Sequence, residues 1–349
     1  MKFRHALAGL AAAVFLAFAP DSAHAQQPTG LAADPAFDRG MQALADHHYS
    51  QAATLLAVAA ASPNAPPDTL LLEARALSGV GDLPATEKTL RQYLAANPNS
   101  ASALYLLADL LMRENKPKES LETLTRAAAI QPPNSNDLKL AALDYVLLDV
   151  YPDAISWLRR AVAMNPANAE AWYDLGRSLM HEGHFTDAEA ALRRSLALTP
   201  GNSRALNNLG LCLEAQNRTG DALSAYQTAV ATQAADPHPS EQPLLNLGAL
   251  LNTQGRAAEA VAPLKEAIVL APRQSRCHEE LARALSQTSQ TTAAVTELRL
   301  AVAFDDRNPR LHYQLGQLLR RAGLTGEGDA ELKRSASLYG NRSSTPAPM

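Results

Sequence analysis

Between Ala169 and Pro200 the apolar residues fall in two separate runs. Trp172, Leu175 and Leu179 recur at steps of three and four with Gly176 beside them, and after a polar break Ala188, Leu192 and Ser195 repeat the step. Such spacing puts side chains on one stripe of a 3.6-residue helix. The segment therefore reads as two amphipathic helices joined by a turn. With Ala169 as position one, positions four, seven, eight and eleven belong to the core stripe of the first helix, and positions twenty, twenty-four and twenty-seven to that of the second.

The unit recurs every thirty-four residues, with a four-residue insertion after the sixth copy. The predicted units are 33–66, 67–100, 101–134, 135–168, 169–202, 203–240, 241–274, 275–308 and 309–342. Position eight is always tiny: Gly40, Ala74, Ala108, Ala142, Gly176, Gly210, Gly248, Ala282 and Gly316. Position twenty-four is always large and apolar, from Leu56 through Tyr226 to Leu332. A tiny residue on one helix lets a large one on the other approach closely. Pro98, Pro132, Pro166, Pro200 and Pro272 follow second runs. Proline lacks an amide proton and disfavours helical geometry in the residue before it, so each is expected to end a helix.

The order Trp172, Leu175, Gly176, Leu179, Ala188, Leu192, Ser195, Pro200 resembles that of the tetratricopeptide repeat. The resemblance implies an all-α fold, an α-α superhelix in which helix pairs stack as a right-handed solenoid. It also implies a concave groove, lined by the first helices, that takes extended peptides. Some units depart from the pattern. Arg39 and Glu73 replace an apolar seventh residue and Tyr93 a small one, as expected of terminal units whose outer face meets water. His278 replaces a large fourth residue, and Thr288 to Thr292 replace the turn of the same unit. The insertion between Gln233 and Gln242, near Pro237, Pro239 and Pro243, is expected to lengthen and stiffen one inter-unit turn. Lys333, Arg334, Ser335 and Ser337 make the last helix polar enough to close its end.

Composition supports a helical reading. Apolar residues make up 47% of the 349 but aromatics only 5%, so the core must be alanine and leucine, both strong helix formers. A net charge of -4 supplies no basic field for nucleic acid or an anionic membrane. Met1, Lys2, Arg4 and His5 form a positive head, Ala6 to Ala19 an apolar run, and Ala23-His24-Ala25 a cleavage site. Residues 1–25 therefore read as a signal peptide of bacterial type, 26–32 as a linker and 343–349 as a disordered tail. The apolar run falls short of the ~20 residues that span a bilayer, so no membrane insertion is expected after cleavage. The mature chain is expected in the periplasm or outside the cell. Cys212 and Cys277 lie two units apart. Helices spaced about 8–10 Å apart keep them beyond the ~7 Å reach of a disulfide, and two free thiols are expected.

Catalytic patterns are missing from the sequence: no glycine-rich phosphate loop, no His-Glu-x-x-His, no Cys-x-x-Cys, no nucleophile elbow. The chain is read as a binding protein without cofactor or metal, not an enzyme. His47, His48, His181 and His184 flank turns, where solvated loop histidines are the ordinary case. Asn217-Arg218-Thr219 is a glycosylation acceptor only in a eukaryotic host.

At 100° per residue, positions two, five, six, nine and thirteen of each first helix turn away from the core stripe. Position six is Leu72, Leu106 and Leu140 early in the chain and Asp174, Asn208, Asn246, Glu280 and Gln314 later. Asn208 and Asn246, with Asn207, resemble the asparagine ladder by which peptide-binding relatives hold a ligand backbone. A carboxamide both donates and accepts, which suits a peptide bond; a merely solvated polar face is the alternative. Position two runs from Asp34, Asp68, Ser102, Asn136 and Glu170, explained by helix capping, to Arg204, Arg276 and Arg310. With Arg177, Arg283 and Arg321, these arginines fit an acidic segment or a chain-terminal carboxylate, unless Glu214, Glu279 and Glu280 pair with them. Upstream, Tyr105, Leu143 and Tyr173 form part of an apolar stripe suited to an amphipathic ligand. The candidate peptide-binding residues are thus Tyr105, Leu143, Tyr173, Asp174, Arg177, Arg204, Asn207, Asn208, Asn246 and Arg283. The expected role is an exported scaffold or adaptor that binds peptide segments during cell-envelope assembly. The alternatives are a holdase-like chaperone and the peptide-binding part of a glycosyltransferase-like complex.

Overall fold

The computed structural model describes residues 35–234 and 236–343. The predicted signal peptide, the linker and residues 344–349 of the predicted tail lie outside the described residues. Among the described residues there are eighteen helices and no strand. The first nine are α1 (Pro35–Ala45), α2 (Tyr49–Ala60), α3 (Thr69–Val80), α4 (Leu83–Ala96), α5 (Ala101–Arg113), α6 (Pro117–Ile130), α7 (Ser135–Leu147), α8 (Tyr151–Met164) and α9 (Ala169–His181). The rest are α10 (Phe185–Leu198), α11 (Ser203–Ala215), α12 (Thr219–Gln233), α13 (Gln242–Thr253), α14 (Ala257–Leu270), α15 (Ser275–Gln287), α16 (Thr291–Phe304), α17 (Pro309–Arg321) and α18 (Thr325–Ser343). Two compact units divide them: one ends at Glu182 and holds α1–α9, the other starts at Gly183 and holds α10–α18. Inside each unit every helix packs on the next in the chain, which makes each an α-α solenoid of helix pairs.

The tiny and large residues read from the sequence meet in the structure. A Cβ added at Gly248 would lie 2.4 Å from Leu264, and one at Gly210 would lie 2.4 Å from the ring of Tyr226. Leu264 and Tyr226 are fully buried; emptying such a leucine site costs about 2–5 kcal/mol. Helices α4, α6, α8, α10 and α14 each stop two residues before one of the five prolines, and the residue between them leaves helical geometry, as at Gln131 with φ -139° and ψ 132°. The insertion is pinned by one side chain. Gln233, buried at the end of α12, donates to the Ser240 carbonyl at 2.8 Å and accepts from its amide at 3.2 Å.

Two local expectations need correction, and one departure from the size pattern is packed all the same. Tyr93 does not face water: it is buried, and its hydroxyl donates to Asp68 at 2.5 Å, so an aromatic at a small position is accommodated by a polar anchor. Nor do Ser102, Asn136 and Glu170 cap their helices, and Asp68, at an N-cap, makes no side-chain cap bond. The caps are Ser100, Asn134, Asn168, Asn202 and Asn308, each one residue before the helix it opens. Finally, His278 keeps its unit packed. Trp172 donates its ring N–H to the carbonyl six residues earlier, Pro166, at 3.0 Å. The buried rings of His278 and His312 place Nε2 on the carbonyls of Pro272 and Asp306 at 3.0 and 2.8 Å, again six residues back. Their Nδ1 atoms meet Glu297 and Glu331 on the following helices.

One regularity was not foreseen. Every turn after a first helix holds one residue at positive φ: His47, Gly81, Asn115, Asp149, Gly183, Asn217, Gly255, Ser289 and Gly323, with φ between 57° and 88°. Left-handed backbone costs an L-residue roughly 1–2 kcal/mol that glycine escapes. Open space surrounds a Cβ added at Gly255, so Gly255→Ala isolates the backbone cost: a loss of about 1–2 kcal/mol is expected in urea unfolding, whereas Ser289→Gly gains about 0.5–1 kcal/mol.

The first unit also buries a carboxyl group. Asp144 is 0% exposed, and its Oδ1 has no partner. Ser120 Oγ lies 2.6 Å from Asp144 Oδ2 and 2.9 Å from the Ala108 carbonyl oxygen. A hydroxyl has one proton to give; when it serves the carbonyl, a proton on Asp144 makes the other contact. Burial pushes this carboxyl up to about 7, against the opposing bond from Ser120. The folded state thus binds a proton that the unfolded state releases near pH ~3.9. Stability from this group is complete below that pH and is lost as pH rises to about 7, at no more than about 1.4 kcal/mol per unit. Asp144→Asn, whose amide can donate to Ser120 at any pH, should flatten this loss in denaturation measured from pH 4 to pH 8.

Candidate functional site

The positions that helical phase turns away from the core line one cavity in each unit, each about 430 Å³. In the first unit α5 and α7 supply Ser102, Tyr105, Leu106, Asp109, Met112, Asn136, Lys139, Leu140 and Leu143, and α3 adds Arg75. Leucine, methionine and tyrosine carbons form much of the lining, with charges of both signs among them. The Tyr105 hydroxyl donates to the Gln131 carbonyl at 2.7 Å, and burial followed by the Asp137 charge pushes it up to about 12. Burial also raises Asp109 and Asp137, and Lys139 pairs with Glu170.

The second unit's cavity lies between α15 and α17. Glu279, Ala282, Arg283, Ser286 and Gln287 line one side, Tyr313, Gln314, Gln317, Leu318 and Arg321 the other, and Leu298 of α16 closes it. Glu279 and Glu280 stand back to back on α15, both buried. Glu279 accepts from Arg310 at 2.8 Å and Gln314 at 3.0 Å on α17. Glu280 accepts from Asn252 on α13 at 3.1 Å and lies 3.4 Å from Arg283. A carboxylate this deep is held by donors or not at all.

Among the residues singled out from sequence, Tyr105 and Leu143 share the first cavity and Arg283 lines the second. Tyr173, Asp174 and Arg177 sit together on α9, with Arg177 3.9 Å from Asp174 and 5.7 Å from the Tyr173 ring centroid. Arg204 is exposed and Asn208 half-buried on α11. The asparagines do not form an exposed row. Asn246 is 4% exposed and donates to Asn207 Oδ1 at 2.9 Å, and Asn207 is itself only 7% exposed. One hydrogen bond joins the two carboxamides between α11 and α13. Glu279 and Glu280 likewise take up Arg310 and Arg283, as the alternative pairing allowed; Glu214 instead receives the Tyr226 hydroxyl at 3.0 Å.

Singling out only some residues at positions five, nine and thirteen passed over Arg75, Asp109, Lys139, Gln287, Tyr313 and Gln317, all of which lie at those positions. Tabulating those positions in full would have found them. Among the described residues no group of three or more histidine, cysteine, aspartate or glutamate side chains is placed to hold a metal. His181 stacks on Tyr151 at 3.9 Å, and His47 meets the Tyr49 hydroxyl at 2.9 Å.

A tetratricopeptide repeat family profile matches residues 71–135, 140–203 and 173–239. These stretches are tetratricopeptide repeats. The repeats align with a chain of the Cut9–Hcn1 hetero-tetramer of the APC/C at 14% identity and TM-score 0.55, over 84% of this chain and 57% of that one. PilW, a widely conserved type IV pilus biogenesis factor, aligns at 21% identity and TM-score 0.53, over 60% of this chain and 94% of its own. PilF of Pseudomonas aeruginosa gives 19% identity and TM-score 0.53, over 61% and 95%. At such identities the likeness is one of fold. No curated protein matches the chain.

The buried Asn246–Asn207 pair makes a checkable statement about these repeats. Asn246→Ala leaves the Asn207 carbonyl oxygen without its donor in a buried site, which costs about 1–3 kcal/mol. Urea unfolding of this variant should show that loss, where a solvated surface asparagine would show about 0.5 kcal/mol or less.

Proposed function

We propose that this protein is an exported interaction scaffold, an adaptor that binds peptide segments of partner proteins on its first-helix faces during cell-envelope assembly. One observation carries the reading. Most of the side chains lining a cavity in each unit come from the first-helix face turned away from the core stripe, so the fold supplies recessed surface beside its own packing. The two surfaces differ in chemistry, the first carrying carboxylates with Arg75 and Lys139 among leucine, methionine and tyrosine, the second guanidinium and glutamine amide groups beside a single carboxylate, which suits an adaptor that engages two kinds of segment. Export rests on the Met1–Ala25 pattern. No described helix is long and apolar enough to cross a membrane, and PilW, which shares the fold, is a pilus biogenesis factor. Binding in place of catalysis accords with a lining that offers hydrogen-bonding groups and no nucleophile–base pair.

Photo-crosslinking in the native host tests this reading. A benzophenone side chain replacing Leu143 or Tyr313 should capture a small, reproducible set of envelope proteins, while the same group at Val269, a 78% exposed residue of α14, should not. Equal, unselective capture at all three positions would refute it. Capture of many unfolded exported chains from the two cavities would instead support a holdase.

A further inference from the structure

The charges around the second unit's cavity do not cancel. Glu279 is answered by Arg310 at 2.8 Å, and Arg283 by Glu280 at 3.4 Å. Arg321, in the last turn of α17, lines the same cavity, is exposed, and has no partner among the described residues. The fold therefore neutralises each of the other charged side chains at this cavity and leaves one guanidinium over. Gln314 adds a second directional feature. Its Nε2 donates to Glu279 Oε1 at 3.0 Å, and a carboxylate in this position can only accept. The amide is thereby oriented with Oε1 as its unused end, an acceptor fit for a backbone N–H. Beside these groups stand a half-exposed ring, Tyr313 at 52%, and apolar carbons of Leu298 and Leu318.

We infer that this cavity takes a peptide segment carrying an acidic side chain next to an apolar one. The carboxylate pairs with Arg321, the segment's backbone N–H donates to Gln314 Oε1, and the apolar side chain lies against Tyr313 and Leu318. Glu279 is a positioning residue: it fixes the orientation of the Gln314 amide and neutralises Arg310 without itself meeting the ligand. The inference rests on the reading of the first-helix faces as peptide sites and adds the chemistry of one ligand.

Fluorescence anisotropy with short blocked peptides, identical except for a central Glu or Gln flanked by Ala and Leu, separates the two levels. The Glu peptide should bind the intact protein about three- to fivefold more tightly than the Gln peptide, the upper part of the range for one exposed ion pair. Arg321→Gln should abolish that preference while leaving the Gln peptide's affinity and the melting temperature unchanged. Equal binding of both peptides to the wild type, or a preference that survives Arg321→Gln, would overturn the assignment. Succinate that competes as well as the Glu peptide would show a small dicarboxylate site and overturn the peptide assignment. If neither peptide binds but crosslinking from Tyr313 still captures partners, the acidic ligand is refuted and the peptide reading stands. If that crosslinking fails too, both fall.

Discussion

The close approach of a tiny residue on one helix to a large apolar residue on the next governs the rest of this molecule. At Gly248 and Leu264, or Gly210 and Tyr226, the two backbones come near enough that a single added methyl group would sit 2.4 Å from the opposing side chain. The pair then has only one way to pack. That fixes which stripe of each first helix faces its partner, and the opposite stripe is released by the same constraint. Most cavity-lining residues come from that released stripe, with a few core side chains such as Leu298 forming the floor.

Much of the fold was legible because its determinants are local and repeat. Position eight, position twenty-four and the terminal prolines each act within one helix pair, so their physical meaning survives averaging over copies. The left-handed turn residues act just as locally yet were overlooked, because the position is filled by Gly, Asn, Asp, His or Ser. What is shared there is a backbone angle and not a side chain. Tyr93 and His278 misled for a related reason. Each violates the size pattern, and each is accommodated by a hydrogen bond to a group in a different part of its unit.

The site was less legible, and its failures have one cause. Helical phase tells which way a side chain leaves its helix but not what stands across from it. Asn246 leaves α13 in the direction expected of a ligand-facing residue, and finds Asn207 there. Glu279 departs in the direction of the cavity and meets Arg310, while Glu280 beside it meets Asn252 of the preceding first helix. Each contact joins residues about thirty or more positions apart along the chain, in neighbouring pairs, and so depends on how pairs stack. Tyr105 and Leu143 do line the first cavity, where the Tyr105 hydroxyl bonds a backbone carbonyl and leaves its ring carbons on the cavity side.

The two cysteines carry a consequence for how the protein can be handled by its surroundings. Cys212 and Cys277 are buried and unpaired, and burial pushes their thiols up to about 12 and about 11. Thiol–disulfide exchange proceeds through the thiolate, which these sites suppress by denying it both charge solvation and access. Once folded, the chain holds both cysteines away from thiol–disulfide exchange with its compartment. Its vulnerable interval is the time spent unfolded, so oxidants and disulfide-forming catalysts act on it only by racing the packing of the helices that enclose those thiols.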